Sequence, residues 1–131
     1  MSIVILYVVT VVIFLALDTL MLTFVMSPLF KSHIGEMMLT DVKLGAAAAF
    51  YLAYVAGLVY LVSVPGLRVG APVIVPAAII GAMAYGTYEF TSYSIMKGWH
   101  PSMVAMDLTW GTVLTAFSAW AGVAITRAIT A

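Results

Sequence analysis

Four long apolar runs, separated by short stretches of proline, glycine and charged residues, organise the sequence. A membrane-spanning helix takes about 20 mostly apolar residues, and each run reaches that length. Hydrogen-bond satisfaction in lipid allows only helices or closed barrels, and runs this long are typical of helices. The pattern therefore predicts four transmembrane helices, at about residues 3–26, 44–64, 73–96 and 102–125.

The breaks between the runs predict how the helices are connected. Ser27 and Pro28 are expected to end the first helix, "VPGLRVGAP" (64–72) the second, and "KGWHP" (97–101) the third. Short turns make sequential helices antiparallel neighbours. The predicted fold class is thus an all-α integral membrane protein, an antiparallel four-helix bundle in one membrane domain, residues 1–131.

The segment "PLFKSHIGEMMLTDVK" (28–43) differs from the spans because it mixes apolar and polar residues. Phe30, Ile34, Met37 and Met38 fall on one helical face. This pattern favours a short helix lying in the membrane interface after the first span. An ordinary loop with scattered apolar residues is the alternative.

Composition supports the membrane class. The chain of 131 residues is 65% hydrophobic and 8% charged, whereas a soluble domain carries roughly 25% charged residues. A formal net charge of zero gives no indication of a nucleic-acid partner. Because cysteine is absent, disulfides, thiol catalysis and thiolate metal sites are excluded.

Three acidic residues lie inside the predicted spans: Asp18, Glu89 and Asp107. Counted from the breaks at Ser27, Lys97 and Pro101, their carboxyls lie roughly 9–14 Å from one membrane face. Three separate helices thus place acids in one layer, and we expect the carboxyls to point towards one another inside the bundle.

The helix faces that carry these acids are small and polar. In the fourth helix a seam of such residues has helical spacing, which permits close packing between membrane helices. Phenol and indole groups nearby can donate hydrogen bonds to a carboxylate. The seam consists of Asp107, Gly111, Thr115, Ser118 and Gly122, and the expected supporting residues are Tyr51, Tyr54, Tyr85, Tyr88, Thr91 and Trp110, with Lys97 and Trp99 as neighbours in the loop.

The charge of this layer restricts its interpretation. An acid in the middle of a spanning helix costs about 2.5–3.5 kcal/mol if it faces lipid, and three ionised carboxylates together would repel one another. We therefore expect most of them to be protonated, or neutralised by a cation or by an inward-reaching Lys97 or Lys43. The layer is either a set of neutral hydrogen-bond partners that fix helix register, or a site for a proton, a cation or a polar head group.

Sequence templates for catalysis and cofactors do not match. The chain has no G-x-S-x-G, H-E-x-x-H, Walker or dinucleotide motif, and no lysine inside a span for a Schiff base. An intramembrane aspartyl hydrolase is chemically feasible, but no spacing favours it. We predict no catalytic residue, no metal site and no cofactor.

The stretch "AYGTYEFTSYSIMKGWHPSMVAMDLTWGTVLTA" (84–116) resembles the signature of a bacterial membrane-protein family, domain of unknown function 2177. That signature is Tyr-x-Thr-Tyr-Asp-x-Thr-Asn, then Lys-x-Trp, then Asp-x-x-Trp-Gly-Thr. Glu89 and Ser92 stand where the family usually has Asp and Asn, so the site keeps its carboxyl but lacks an amide. The resemblance extends to "FYLAYVAGL" in the second span and to Asp18. It implies a small, multi-pass protein of the bacterial inner membrane and supplies no activity.

The leading functional hypothesis is non-enzymatic. The buried carboxylate and tyrosine core would bind a polar ligand or a lipid head group, or dock a membrane-protein partner. The alternatives are a small proton-coupled transporter acting as an oligomer and a membrane-embedded lipid-modifying enzyme. Expected partners are membrane lipids and a second copy of the chain, which the small residues at 45–49 and Gly57 could pack against; no nucleic-acid partner is expected.

Overall fold

The computed structural model describes residues 2–39 and 43–130. Within these ranges the chain forms four long helices and no strand: α1 (Ser2–Met37), α2 (Leu44–Val69), α3 (Ile74–Ile95) and α4 (Pro101–Thr130). The predicted all-helical class is confirmed. The end of the predicted interfacial segment, residues 40–42, lies outside the described part of the chain.

Two of these helices pass through prolines at which the sequence predicts a break. Ser27 and Pro28 do not end α1, and Pro65 does not end α2. In both cases a five-residue π-helical turn, Leu22–Met26 or Val59–Ser63, stops two residues before the proline. In each case the backbone N–H of the residue just before the proline donates a hydrogen bond to the carbonyl oxygen five residues earlier, which closes the π turn.

The wide turn explains why the helix survives. A proline ring normally collides with the carbonyl four residues earlier and removes a hydrogen bond, which breaks or kinks an α-helix. A π turn inserts an extra residue, so the preceding carbonyls are re-directed and the helix can resume. The second helix therefore continues to Val69 and ends at Gly70, whose backbone is left-handed with φ of 70°.

Three of the four helices, α1, α2 and α4, are long and apolar enough to cross a membrane. The 22-residue α3 is also long enough, but its second half carries Tyr85, Thr87, Tyr88, Glu89 and Thr91. These polar groups lower its mean hydropathy. Four helices are thus present in the described chain, while a fourth membrane crossing stays a prediction.

Contacts between the helices set their directions. Thr10 and Asp18 of α1 contact Gly122 and Trp110 of α4, respectively, so these two helices run in opposite directions. Among the described helices, α3 and α4 pack against each other most extensively. In that pair Gly81 lies against Thr115, whereas the later residue Gly86 lies against the earlier Leu108, so α3 and α4 are also antiparallel.

The seam of small residues predicted in α4 is where the other helices approach most closely. Gly111, Thr115, Ser118 and Gly122 are all buried. A Cβ atom added at Gly111 would overlap the Tyr85 ring, and one added at Gly122 would overlap the Thr10 hydroxyl. Close packing along this seam brings α1 and α3 against α4 and holds their acids near one another.

The hydrophobic core fills the space between the helices. Six buried apolar side chains from α1, α2 and α4 form its main cluster: Leu6, Phe14, Val55, Val59, Leu114 and Val123. Outside the core, an apolar stripe on α1, which includes Val4, Val8 and Val12, is exposed. A water-soluble monomer rarely exposes such a contiguous apolar surface, whereas a lipid-facing helix requires one.

The part of α1 that follows its π turn packs on the connection between α3 and α4. Leu29, Phe30 and Ile34 contact a small cluster of Trp99, Met103 and Val104. The Phe30 and Trp99 rings meet edge to face with their centroids 5.3 Å apart. This segment, predicted as a separate interfacial helix, is therefore continuous with the first helix and covers one end of the other helices.

Candidate functional site

Asp18 and Glu89 are buried inside the helix assembly, with 4% and 0% of their surfaces exposed. Asp107 is half-buried beside them. Its carboxyl lies beside those of Glu89 and Asp18. The structure thus brings together the three acids that the sequence places in one layer.

Glu89 is held by the connection between α3 and α4. The indole Nε1–H of Trp99 donates a hydrogen bond to Glu89 Oε1 at 3.0 Å. Gly98 places Trp99 for this contact, since its φ of 80° is in the left-handed region that favours glycine. A Cβ at Gly98 would also lie only 3.0 Å from the His33 carbonyl oxygen. Trp99, which was predicted as a neighbour of the site in the loop, is thus a buried hydrogen-bond partner of Glu89.

Asp18 is held by a second tryptophan. Trp110 of α4 donates its indole N–H to Asp18 Oδ1 at 3.1 Å. Trp110 was predicted to support the layer from its position one turn after Asp107, and in the structure its hydrogen bond goes to the acid of α1. Each fully buried acid therefore accepts one indole hydrogen bond, from a different part of the chain.

The second oxygen of each of these carboxyls has no such donor. Asp18 Oδ2 and Glu89 Oε2 are buried and have no hydrogen-bond partner among the described residues. Glu89 Oε2 can be satisfied by a proton shared with the adjacent Asp107 carboxyl. Leaving a buried acceptor unpaired costs about 1–3 kcal/mol, so these atoms indicate a proton or a ligand.

A cavity of about 430 Å³ adjoins the acids. Asp18 and Asp107 lie in its wall, and the remaining lining is mostly aromatic and aliphatic. The predicted tyrosines all contribute to it. They are Tyr51, Tyr54, Tyr85 and Tyr88. The phenol of Tyr51 approaches Asp18, and the Tyr54 hydroxyl shares a hydrogen bond of 2.9 Å with Thr115 Oγ1.

Five residues of the predicted site lie away from the cavity wall: Glu89, Thr91, Lys97, Trp99 and Trp110. Glu89 is adjacent to Asp107 but does not line the cavity. Thr91 and Lys97 are exposed, so neither belongs to the buried core. Lys43 is exposed too, which leaves a shared proton or a bound cation as the means of neutralising the acids.

Several cavity residues were not predicted as part of the site. They come from the π turn of α1, the segment after it, and the start of α2: Leu22, Met26, Ser27, Phe30, Met38, Ala47 and Phe50. Apolar residues next to a polar layer carry no distinctive sequence signal. The nearest signal is Pro28, because a π turn before a proline re-aims side chains, and such turns are frequent at functional sites.

Two histidines meet at the end of the assembly. His33 and His100 stack with their ring centroids 4.3 Å apart, and Ser102 Oγ lies 2.8 Å from His100 Nδ1. Neither histidine was among the predicted site residues. Within the described ranges, no group of three or more Asp, Glu or His side chains is arranged to hold a metal ion.

Comparison with known families accounts for nearly the whole chain, since residues 3–124 match one family. The chain belongs to the family described as "Predicted membrane protein (DUF2177)". The resemblance seen in the sequence is thereby confirmed, and with it the membrane class that the lipid-facing surface indicates. The matched range includes all three acids and both indole donors. Comparisons with curated proteins and with solved structures gave no match.

Proposed function

We propose that this chain is a non-enzymatic, multi-pass protein of the bacterial inner membrane that binds a polar head group attached to an apolar body. The observation that carries the proposal is Asp18 Oδ2, a buried acceptor without a partner in the described chain, in the wall of a mostly apolar cavity. A ligand that donates a hydrogen bond there would satisfy it, and its apolar part would occupy the aromatic space.

The size and the lining of the cavity support this proposal. Small-molecule sites are typically about 300–1,000 Å³, mostly apolar, with a few convergent polar groups. The cavity has about 430 Å³ and two carboxyls among aromatic rings. This volume holds a head group with a short apolar segment, and a longer chain would extend out of it.

The cavity also reaches the surface. Phe50 and Tyr88 line it although 63% and 53% of their surfaces are exposed. A ligand dissolved in the membrane can therefore enter between the helices without first crossing into water. The alternative to a small ligand is a helix of a partner protein, which would insert a polar side chain at this opening.

The proposed membrane arrangement has four crossings in an antiparallel bundle, with α3 as the third. Its length of 22 residues and its extensive packing on α4 support a crossing. The segment after the π turn of α1, Ser27–Ile34, would lie at the interface, because it has Lys31 and His33 in its last turn.

Proton-coupled transport is the second candidate function. Asp107 next to Glu89 favours it, since a carboxyl pair in a low-dielectric site can hold and release one proton. Transport would stop when the proton gradient is collapsed. A lipid-modifying enzyme is the third candidate, and it would change the profile of extracted lipids.

Two substitutions of alanine by phenylalanine test ligand binding. Ala47 of α2 lines the cavity, whereas Ala105 of α4 is exposed and does not. Mass spectrometry of the protein purified in lipid nanodiscs should detect a bound lipid or metabolite in the parent and in Ala105→Phe. Ala47→Phe fills the cavity and should lose it. Equal retention in all three proteins would refute the proposed site.

We also propose a homodimer or larger oligomer. Gly45 and Gly57 of α2 have open space where a side chain would be, and Ala46, Ala48 and Ala49 are exposed. Small residues on an exposed helix face allow a second helix to approach closely. Mass photometry in native nanodiscs should give at least twice the monomer mass, and a monomer mass would contradict this proposal.

A further inference from the structure

The charges around the cavity restrict the ligand that it can accept. This inference rests on the proposed binding function and assigns the chemical class of the ligand. Among the residues that the structure describes at the cavity, two are acidic and none is basic. An anionic head group would meet carboxyls and no positive charge, whereas a cation would be attracted by them.

Aromatic rings provide a second attraction for a cation. Six rings line the cavity: Phe30, Phe50, Tyr51, Tyr54, Tyr85 and Tyr88. Tyr54 and Tyr85 meet edge to face with their ring centroids 6.4 Å apart, so their faces point in different directions. A cation within about 6 Å of a ring face is stabilised by the ring quadrupole, and more strongly when water is excluded.

The oxygen of Asp18 that lacks a hydrogen-bond partner determines which kind of ammonium ion can bind. The Trp110 indole fixes Oδ1, so Oδ2 is the atom left to accept a hydrogen bond, and Asp18 is only 4% exposed. An ammonium that carries N–H groups can donate to Oδ2, whereas a quaternary ammonium cannot. A hydrogen bond between ionised groups is shorter and roughly twice as strong as a neutral one.

If the total charge of the three carboxyls and their ligand is to stay constant, the binding of an ammonium must release a proton from the site. Asp107 lies beside Glu89 and Asp18, and three ionised carboxylates at low dielectric would repel one another, so without a bound cation the carboxyls hold protons. When an ammonium enters, one of these protons can pass to water and the total charge of the site is conserved. We propose that the cavity binds a hydrophobic ammonium ion with at least one N–H group, in exchange for a proton.

Three probes with one apolar body test the ligand class. Phenylbutylammonium, phenylbutanol and phenylbutyrate carry a cationic, a neutral and an anionic head group, and each is small enough for the cavity. Isothermal titration calorimetry of the full chain in nanodiscs should show saturable binding of phenylbutylammonium only. Its apparent heat should differ between phosphate and Tris buffers, because a released proton is taken up by the buffer.

Matched acid substitutions connect the binding to the site. Asp18→Asn should weaken binding of phenylbutylammonium at least about tenfold, because it removes the charge that pairs with the ammonium. Glu36→Gln removes an exposed carboxyl outside the cavity and should leave the affinity unchanged. Circular dichroism of both variants checks folding, and if Asp18→Asn misfolds the comparison of probes on the parent still decides.

The outcomes separate this inference from the proposed function. If the alcohol or the carboxylate binds as tightly as the ammonium, or if the heat is independent of the buffer, the assignment of an exchanged cation is wrong. The absence of saturable ammonium binding overturns it as well. The retention of a bound molecule in Ala105→Phe and its loss in Ala47→Phe test the proposed function independently of these results.

Discussion

Glu89 in α3 and Trp99 in the following connection are joined by a hydrogen bond of 3.0 Å, from the indole Nε1 to Oε1. Glu89 is fully buried and Trp99 nearly so. The hydrogen bond couples the acid to the chain segment that turns α3 into α4, and to Phe30 of α1 through its contact with the Trp99 ring.

Trp99→Phe should lower the free energy of unfolding by about 1–3 kcal/mol, because it leaves Glu89 Oε1 buried without its donor. Trp120→Phe is the control, since Trp120 is half exposed and contacts Phe117 at the surface. Unfolding by a denaturing detergent, followed by circular dichroism, measures both variants. A loss in Trp120→Phe as large as in Trp99→Phe would show that the hydrogen bond is not the cause.

Gly111→Ala should be destabilising by about 1–3 kcal/mol, since an added methyl group overlaps the Tyr85 ring and must displace it. Gly35→Ala is the control, because Gly35 is exposed and a Cβ there would meet only Lys31 Cβ, at 3.9 Å, which is an ordinary contact. In a helix that change favours the helical state by up to about 1 kcal/mol. Melting temperatures in nanodiscs should therefore move in opposite directions, and equal shifts would contradict the packing of α3 on α4.

A disulfide should form between cysteines placed at Thr10 and Gly122. The Cβ of a residue at Gly122 would lie 3.3 Å from Thr10 Cβ, close to the about 3.5–4.5 Å of disulfides. The chain has no native cysteine, so mobility on non-reducing gels identifies the product without ambiguity. Cysteines at Val12 and Trp120, both exposed, form the control pair and should give no intramolecular bond.

The carboxyl pair should hold a proton in the ligand-free protein. Infrared spectra in lipid at neutral pH should show the band of a protonated carboxyl, because two adjacent ionised carboxylates in a low-dielectric site would repel each other. Asp107→Asn should abolish the band and Glu36→Gln should preserve it. Glu89→Gln and Asp107→Asn are also expected to abolish function while the fold is kept, because each removes one member of the carboxyl pair. Asp18→Asn weakens ligand binding but keeps that pair, so its loss of function should be milder.

If the band is absent, and both amide variants equal the parent in growth and in melting temperature, the acids are neutral partners that only fix the packing of the helices. That result would leave the hydrogen bonds of Trp99 and Trp110 as a structural device. It would remove the basis for proton exchange.

The positions of the acids could be predicted because depth in a helix is a matter of counting. A rise of about 1.5 Å per residue converts the spacing from each break into a distance. This count placed Asp18, Glu89 and Asp107 in one layer, and the structure brings them together, although Ser27, from which Asp18 was counted, lies within α1. The small residues of the α4 seam were predicted for a similar reason, since their helical spacing puts them on one face.

The ends of two helices could not be predicted in the same way. A proline in a sequence predicts a break because the local rule considers an α-helical turn only. At Pro28 and Pro65 the chain adopts a π turn instead, and the packing of the continuing segments on neighbouring helices stabilises it. That choice depends on residues far away in the sequence.

The partners of the acids also required the tertiary structure. The sequence by itself determined a helical membrane protein with three acids at one depth, because hydrophobicity and helical rise are properties of each segment alone. It could not determine that Trp110 bonds to Asp18 across 92 positions, or that Glu89 lies behind the cavity rather than in its wall. Those relations depend on how the helices rotate about their axes, and side-chain packing between helices sets that rotation only when the whole assembly forms.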